Sequence, residues 1–284
     1  MTRTLQDIGI NLKSMPLGES DRLMTILTRQ TGLIRAVAKG SRKQSSRLGG
    51  RMELFMVNSL VLAQSPKSGS LLRISQADTV QRFSQLSRNL PRLLAAHYLA
   101  EVALMVALAD HPQEDLFLIL LEHLERIEQA DPEQVLPLLS HGLYHLLAIN
   151  GIAPQMQHCL SCGQDLQPDP QQEIAFSYDL GGAVCDPCLV ALQVSSPRAQ
   201  QVAMLSATVL GLLQTLPSSQ IAQPVRDPGV DPKADHLVTV HWLRVEYLLR
   251  RVLEYHTGRE VRSAELLEST LYPTGSLVGT SLGL

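Results

Sequence analysis

Ile8, Ile10 and Leu12 alternate with Gly9, Asn11 and Lys13, a period of two that puts one apolar face on a half-buried strand. Arg22 to Leu27 is a second apolar run, Arg29-Gln30-Thr31-Gly32 is a turn signal, and Leu33 to Ala38 is a third strand, so these runs predict a hairpin. Leu54 to Leu62 reads as a fourth strand, rich in Val and Leu. Ser65-Pro66-Lys67-Ser68-Gly69-Ser70 is a second turn, and Leu71 to Val80 a fifth strand. Five short strands in about 75 residues suit a small closed barrel of the OB type better than a sandwich.

After about residue 84 the apolar period lengthens to that of helices. Asn89 is an N-cap candidate before Leu90-Pro91, and apolar positions run from Leu93 to Leu108. His111-Pro112 ends that helix and begins another, through Leu116, Ile119, Leu120, Leu124 and Ile127. Asp131 caps a third: Pro132 takes the first helical position, Gln134 completes a capping box, and Gly151 closes the end. Helix is expected again from Pro197 to Leu216 and from His236 to Tyr255, ending near Gly258. Between these two, Pro217 to Asp235 reads as a long exposed loop, and residues 269–284 as a disordered tail. The fold class predicted is α+β and multidomain: an OB barrel over 1–80, then an all-α domain over 81–268 carrying a metal module at 155–192.

That module rests on the four cysteines of the chain. Cys159-Leu160-Ser161-Cys162 and Cys185-Asp186-Pro187-Cys188 are two CxxC pairs separated by 22 residues. Thiolates are soft ligands, and a structural Zn²⁺ site is tetrahedral and needs four. Each CxxC brings two sulfurs to one ion from a tight turn, and two such knuckles close the tetrahedron. Two disulfides would require an oxidising compartment, and a redox pair would need only one CxxC after a strand. A closed four-thiolate site has no open position, so one structural zinc is expected and no zinc-bound nucleophile. His158 is a substitute ligand at most. His97, His123, His141 and His145 fall on helices; the last two, four apart, can share a metal on one face but have no third ligand nearby in sequence.

Charge divides the chain more sharply than the net of −3 suggests. Residues 1–92 hold 15 Lys+Arg and 5 Asp+Glu, a net of +10, and the remainder carries −13. The split points to an anionic partner for the N-terminal part alone. Between strands three and four lies Lys39-Gly40-Ser41-Arg42-Lys43-Gln44-Ser45-Ser46-Arg47-Leu48-Gly49-Gly50-Arg51, with five basic residues and no acidic one. Such a segment reads as a mobile loop that buries no apolar area, and its chemistry is phosphate contact. With Arg35 on the preceding strand, Lys39, Arg42, Lys43, Arg47 and Arg51 are the candidate nucleic-acid contacts. Phe55 and Phe83 read as core, and aromatics are too few for a base-stacking platform.

Other classes lack their signatures. There is no phosphate loop, GxSxG elbow or HExxH, and no carboxylate pair stands out, so no enzyme is expected. The N-terminus has no apolar h-region and no stretch reaches about 18 uncharged apolar residues, so a cytoplasmic, nucleoid-associated protein without membrane contact is expected.

Taken together the pieces resemble the RecO family of bacterial recombination and repair proteins. The likeness runs through Leu17-Gly18-Glu19-Ser20-Asp21, Leu27-Thr28, Gly32, Ala38-Lys39-Gly40-Ser41-Arg42-Lys43, Tyr98-Leu99-Ala100-Glu101, Asn150-Gly151-Ile152-Ala153-Pro154, the cysteine knuckles with Phe176-Ser177 and Gly181-Gly182, Gly258-Arg259-Glu260 and Ser263. The resemblance implies a non-enzymatic recombination mediator. Such a protein binds single- and double-stranded DNA and anneals complementary strands. With RecR it helps load RecA onto DNA coated by single-strand-binding protein, whose acidic C-terminal tail the helical domain engages. The alternative from composition alone is an interaction adaptor whose basic barrel binds RNA or an acidic partner.

Overall fold

A computed structural model describes residues 3–64, 71–109, 111–195, 201–218 and 232–271. The chain forms two compact units, Met1–Gln129 and Ala130–Leu284.

The first unit is built on five strands: β1 (Arg3–Leu17), β2 (Asp21–Thr28), β3 (Gly32–Ala38), β4 (Val57–Gln64) and β5 (Leu72–Gln81). They close into a barrel in the order β1-β2-β3-β5-β4, with β4 returning to pair with β1. All pairings are antiparallel except β3 with β5, where Ala36 faces Leu72 and Val37 faces Arg73. The OB-type barrel expected from the strand pattern is the fold observed. Met24, Ile26, Ile34, Ala36, Leu60, Leu62, Ile74 and Ala77 fill its interior. Each large apolar side chain so buried is worth about 1.5–3 kcal/mol. The turn at 65–70 lies outside the described residues.

β3 shows the clean period of two, with Ile34, Ala36 and Ala38 buried and Arg35 exposed. β1 does not. Its register shifts between Asn11 and Lys13, so Asn11 and Leu12 are both buried. The shift lets one 15-residue strand bend and pair first with β4, then with β2. Asp7 is also buried, against its polarity. Its carboxylate accepts from the backbone N–H groups of Gln30 (3.2 Å) and Thr31 (2.9 Å) and from Thr31 Oγ1 (2.7 Å), which fixes the β2–β3 turn. Gly32 follows with φ +80°, and a Cβ there would lie 2.0 Å from the His111 carbonyl oxygen, so the turn admits only glycine.

β4 begins three residues later than expected, because Phe55 adopts φ +62° and turns the chain before Val57. Phe55 and Phe83 are buried as core, and the Phe55 ring meets His97 edge-on at 5.0 Å. Two helices complete the unit. α1 (Leu90–Val106) is capped by Asn89, whose side chain accepts from Arg92 N (3.1 Å), and α2 (Glu114–Gln129) follows. Both pack on β1, and α2 also packs on β2.

In the second unit, a 3₁₀ turn at Pro132–Gln134 leads into α3 (Val135–Ile149). The predicted capping box forms, with Asp131 N donating to Gln134 Oε1 at 3.0 Å. The cysteine module contributes β6 (Ile174–Ser177), β7 (Gly182–Val184) and α4 (Asp186–Ser195). The helix expected over Pro197–Leu216 is a correction. Residues 197–200 lie outside the described residues, Val202–Leu205 is strand β8, and only Ala207–Thr215 (α5) is helical. Antiparallel pairing of β8 with the free edge of β6 outweighs the helical pattern there.

α6 (Pro232–Thr257) starts four residues before the expected His236, which shortens the anticipated loop; 219–231 lie outside the described residues. Packing of α6 against α3 and α5 buries Trp242, Val245, Leu249 and Leu253. α7 (Ser263–Leu271) is a second correction, since a tail was expected from 269; residues 272–284 lie outside the described residues. Val261, Ala264 and Leu267 are buried, and Arg250 ties the two helices by bonding Glu246 on α6 and Glu268 on α7. No described helix is long and apolar enough to cross a membrane.

Candidate nucleic-acid interface and metal centre

The basic segment after β3 is not the loose loop its composition predicts. Ser41 is buried and donates to Ala38 O (2.8 Å). Gly40 N donates to Asp21 Oδ1 (2.8 Å), and Arg42 N to Ser20 O (2.9 Å). Successive turns follow, from Lys43 N to Gly40 O (3.1 Å) and Ser46 N to Lys43 O (3.0 Å). Leu48 then packs on the barrel core and Met52 is fully buried in it. At the far end Asn11 Nδ2 donates to Arg51 O and Glu53 O, and Asn58 Nδ2 also donates to Arg51 O, each at 2.8 Å. Two apolar side chains hidden among cations therefore fasten the segment, which composition averaged over the run conceals.

Fastening fixes where the cations stand. Lys39, Arg42, Lys43 and Arg47 are exposed, and Arg42 is steadied by its Nη1 donating to Gly18 O (2.9 Å). Arg51 is half-buried and donates to Arg47 O. Among the described residues none of these five forms a salt bridge. The one carboxylate enclosed by the segment, Asp21, has its pKa lowered by the Gly40 N–H and the Ser20 hydroxyl, with Lys39 and Lys43 adding to the effect. Arg35 stands apart on the outer wall of β3. Lys13 and Arg73, passed over in the sequence, share that wall: Lys13 pairs with Thr25, which pairs with Arg35, and Arg73 pairs with Val37. Only strand register brings them together, and register is not written in any one of the strands.

The four cysteines converge in the second unit. The first knuckle is a tight hairpin: Cys159 N donates to Gln164 O (2.8 Å), Gly163 N to Cys159 O (2.9 Å) and Leu166 N to Gln157 O (2.9 Å). Gly163 has φ +76°, a conformation side chains resist. The second knuckle is the first turn of α4, where Leu189 N donates to Cys185 O (2.9 Å). The β6–β7 hairpin carries one knuckle to the other, and Leu160 N donates across to Ala183 O (3.0 Å). Gln214 of α5 braces the first knuckle by donating to Met156 O (2.9 Å) and Leu166 O (2.8 Å).

All four sulfurs lie within 4.8 Å of one another, and Cys162 Sγ and Cys185 Sγ are 3.8 Å apart. A tetrahedral ion with metal–sulfur bonds of about 2.3 Å sets its sulfurs about 3.8 Å apart, so the residues fit such an ion. None of the four is in a disulfide. Burial disfavours the Cys159 thiolate, but N–H groups of Cys185, Cys162 and Ser161 outweigh it and bring the thiol down to about 6. Burial and the sulfurs around it push Cys185 up to about 12. As thiolates the four would repel one another, and a cation at their centre would offset that repulsion. His158 is not a ligand: its ring nitrogen is 2.8 Å from Asp165. His141 is buried with Nε2 2.7 Å from the Ser218 carbonyl oxygen.

Comparison with known proteins covers nearly the whole chain, with a family boundary at 83–87 that precedes α1 and α2. The family model "Recombination protein O N terminal" matches residues 1–83, and "Recombination protein O C terminal" matches 87–265. A DNA repair protein RecO of Synechococcus sp. (strain JA-2-3B'a(2-13)) is 54% identical over 274 residues, covering 94% of this chain and 90% of the relative. That of Trichodesmium erythraeum is 42% identical over 298 residues, covering 99% of each. A closed five-stranded barrel, a helical unit with four converging cysteines, and likeness over nearly the whole length make one conclusion: this chain belongs to the RecO family.

Proposed function

We propose that the protein is a non-enzymatic recombination mediator in DNA repair, binding single- and double-stranded DNA through its barrel and annealing complementary strands. The observation that carries this is the fastened basic segment, which holds Lys39, Arg42, Lys43, Arg47 and Arg51 free of salt bridges among the described residues. Phosphate contact by such cations is indifferent to sequence, as a protein that anneals any strand requires. Residues 1–80 are the DNA-binding domain in this reading, with Arg35 adding a contact from the barrel wall. The helical domain then serves partners: RecR, the acidic tail of single-strand-binding protein, and indirectly RecA. Cys159, Cys162, Cys185 and Cys188 hold one structural Zn²⁺, supported by their spacing and by the 3.8 Å sulfur separation.

The test is a salt titration of binding. With about six cations on phosphates, log affinity falls against log salt with a slope near −5 on duplex and near −4 on single strands. R42A/K43A/R47A weakens binding to all sequences alike and flattens the slope by about 2–3. A salt-independent affinity would reject the assignment of this segment, and an absence of strand annealing by the purified protein would reject the mediator role.

A further inference from the structure

The four sulfurs of the cysteine module are not equally sheltered. Cys159 is buried, Cys185 and Cys188 are half-buried, and Cys162 is exposed. The turn that carries Cys162 stands in solvent, since every residue from Leu160 to Asp165 is exposed. Cys159 is held at the base of that turn. Its N donates to Gln164 O at 2.8 Å, its carbonyl oxygen accepts from Gly163 N at 2.9 Å, and its Sγ accepts from Cys185 N at 3.4 Å. All the cysteines of the chain lie in the second unit, and the first unit has none.

The exposed sulfur has a neighbour on the other knuckle. Cys162 Sγ and Cys185 Sγ stand 3.8 Å apart, although the residues are 23 positions apart in sequence. The bond from Leu160 N to Ala183 O at 3.0 Å holds the two knuckles side by side. A disulfide needs about 2.05 Å between its sulfurs, so this pair has to close further. Cys185 is fixed at the start of α4, where Leu189 N donates to its carbonyl oxygen at 2.9 Å. The turn at Cys162 has the room to move: Gly163, the next residue, has no atom within 4 Å of the position a Cβ would take.

Buried structural cysteines are inert, whereas oxidation follows thiolate character and exposure. We infer that Cys162 is an oxidation site for hydroperoxides, and that its end product is a disulfide with Cys185. The inference rests on the zinc reading above and adds to it a regulated release of the ion. The Cys162 sulfur attacks one oxygen of hydrogen peroxide. An S–O bond forms, the O–O bond breaks, and the departing oxygen takes up a proton and leaves as water. The sulfur gives up two electrons to the peroxide and becomes a sulfenic acid. The Cys185 sulfur then attacks the Cys162 sulfur, so that the S–S bond forms, the S–O bond breaks, and the oxygen leaves with a proton as a second water. Over both steps two thiolates, one hydrogen peroxide and two protons give one disulfide and two waters. Only Cys159 and Cys188 then remain as thiolates, half of the set that a tetrahedral zinc needs. Because the first unit has no cysteine, this chemistry falls on the helical unit and spares the barrel.

The zinc-loaded full chain is mixed with hydrogen peroxide beside the chromogenic chelator pyridylazoresorcinol. Release of one zinc per chain is expected above the peroxide-free baseline, at a rate proportional to peroxide, and peptide mass spectrometry should find Cys162 joined to Cys185. Dimedone added with the peroxide should mark Cys162 in place of the disulfide. Dithiothreitol followed by fresh zinc should return the ion to the chain. A first dimedone adduct on Cys159, Cys185 or Cys188 overturns the inference, and so do disulfides confined within each CxxC pair. If the loaded chain keeps its zinc under peroxide, only this inference falls; if the purified chain holds no zinc and takes up none, the zinc reading falls with it.

Discussion

Asn11 holds the carbonyl oxygen of Arg51 at 2.8 Å, across 40 residues of sequence, and so fastens the end of the basic segment to the bend in β1. The same Nδ2 donates to Glu53 O at 2.8 Å, and the Asn11 side chain is fully buried. Replacing it by Ala strands the Glu53 carbonyl oxygen beside a small cavity, while Arg51 O keeps only the Asn58 amide. Asn11→Ala is expected to cost about 2 kcal/mol in urea unfolding, with weaker DNA binding as the cations lose their fixed positions. Full stability in that variant would show that the bend holds the segment unaided.

Asp21 makes the matching anchor at the other end, through Gly40 N. That hydrogen bond, the Ser20 hydroxyl and the cations of Lys39 and Lys43 lower its pKa beneath the ordinary 3.8. A lowered folded value means the carboxylate's contribution is whole above 3.8 and fades as pH falls through the folded value. The Gly40 amide resonance should therefore titrate with a midpoint below 3.8, and should be flat over that range in Asp21→Asn. A midpoint at or above 3.8 would contradict the anchor.

A zinc ion on the four cysteines would brace the second unit. Zinc binding to small modules is on the order of 10–16 kcal/mol and is coupled to folding. Chelation, or Cys185→Ser, is expected to remove one zinc per chain by elemental analysis and to lower Tm. Affinity for DNA at a temperature where the barrel remains folded should change little. A chain that purifies metal-free with unchanged Tm would refute the brace.

Glu246 is 2% exposed and bonded at 3.0 Å by Arg250, which also reaches Glu268. Arg250→Met leaves a buried carboxylate without this partner and is expected to cost about 3–5 kcal/mol. Arg250→Met combined with Glu246→Leu should recover much of that loss, measured by chemical denaturation, because an apolar pair of similar volume avoids the buried charge.

Several of these features were legible in the chain and several were not, for a common reason. The CxxC pairs, the Asn89 and Asp131 caps and the alternation in β3 are local signals, each read within a few residues. β8 and α7 were hidden because their stability comes from distant partners, the β6 edge and Arg250. Asp7 and Asn11 read as polar surface positions, yet their bonds to backbone 23 to 42 residues away bury them.

The sequence by itself determined a barrel followed by helices, a four-cysteine cluster with metal-ligand spacing and a cationic run of residues, because periodicity, ligand spacing and charge are properties of neighbours along the chain. Tertiary structure alone decided that the cationic run is fastened rather than loose, with Leu48 and Met52 packed on and in the barrel core and Asn11 and Asp21 at its ends. It alone set Lys13, Arg35 and Arg73 on one wall of the barrel, since strand register brings together residues that sequence keeps 22 to 60 positions apart.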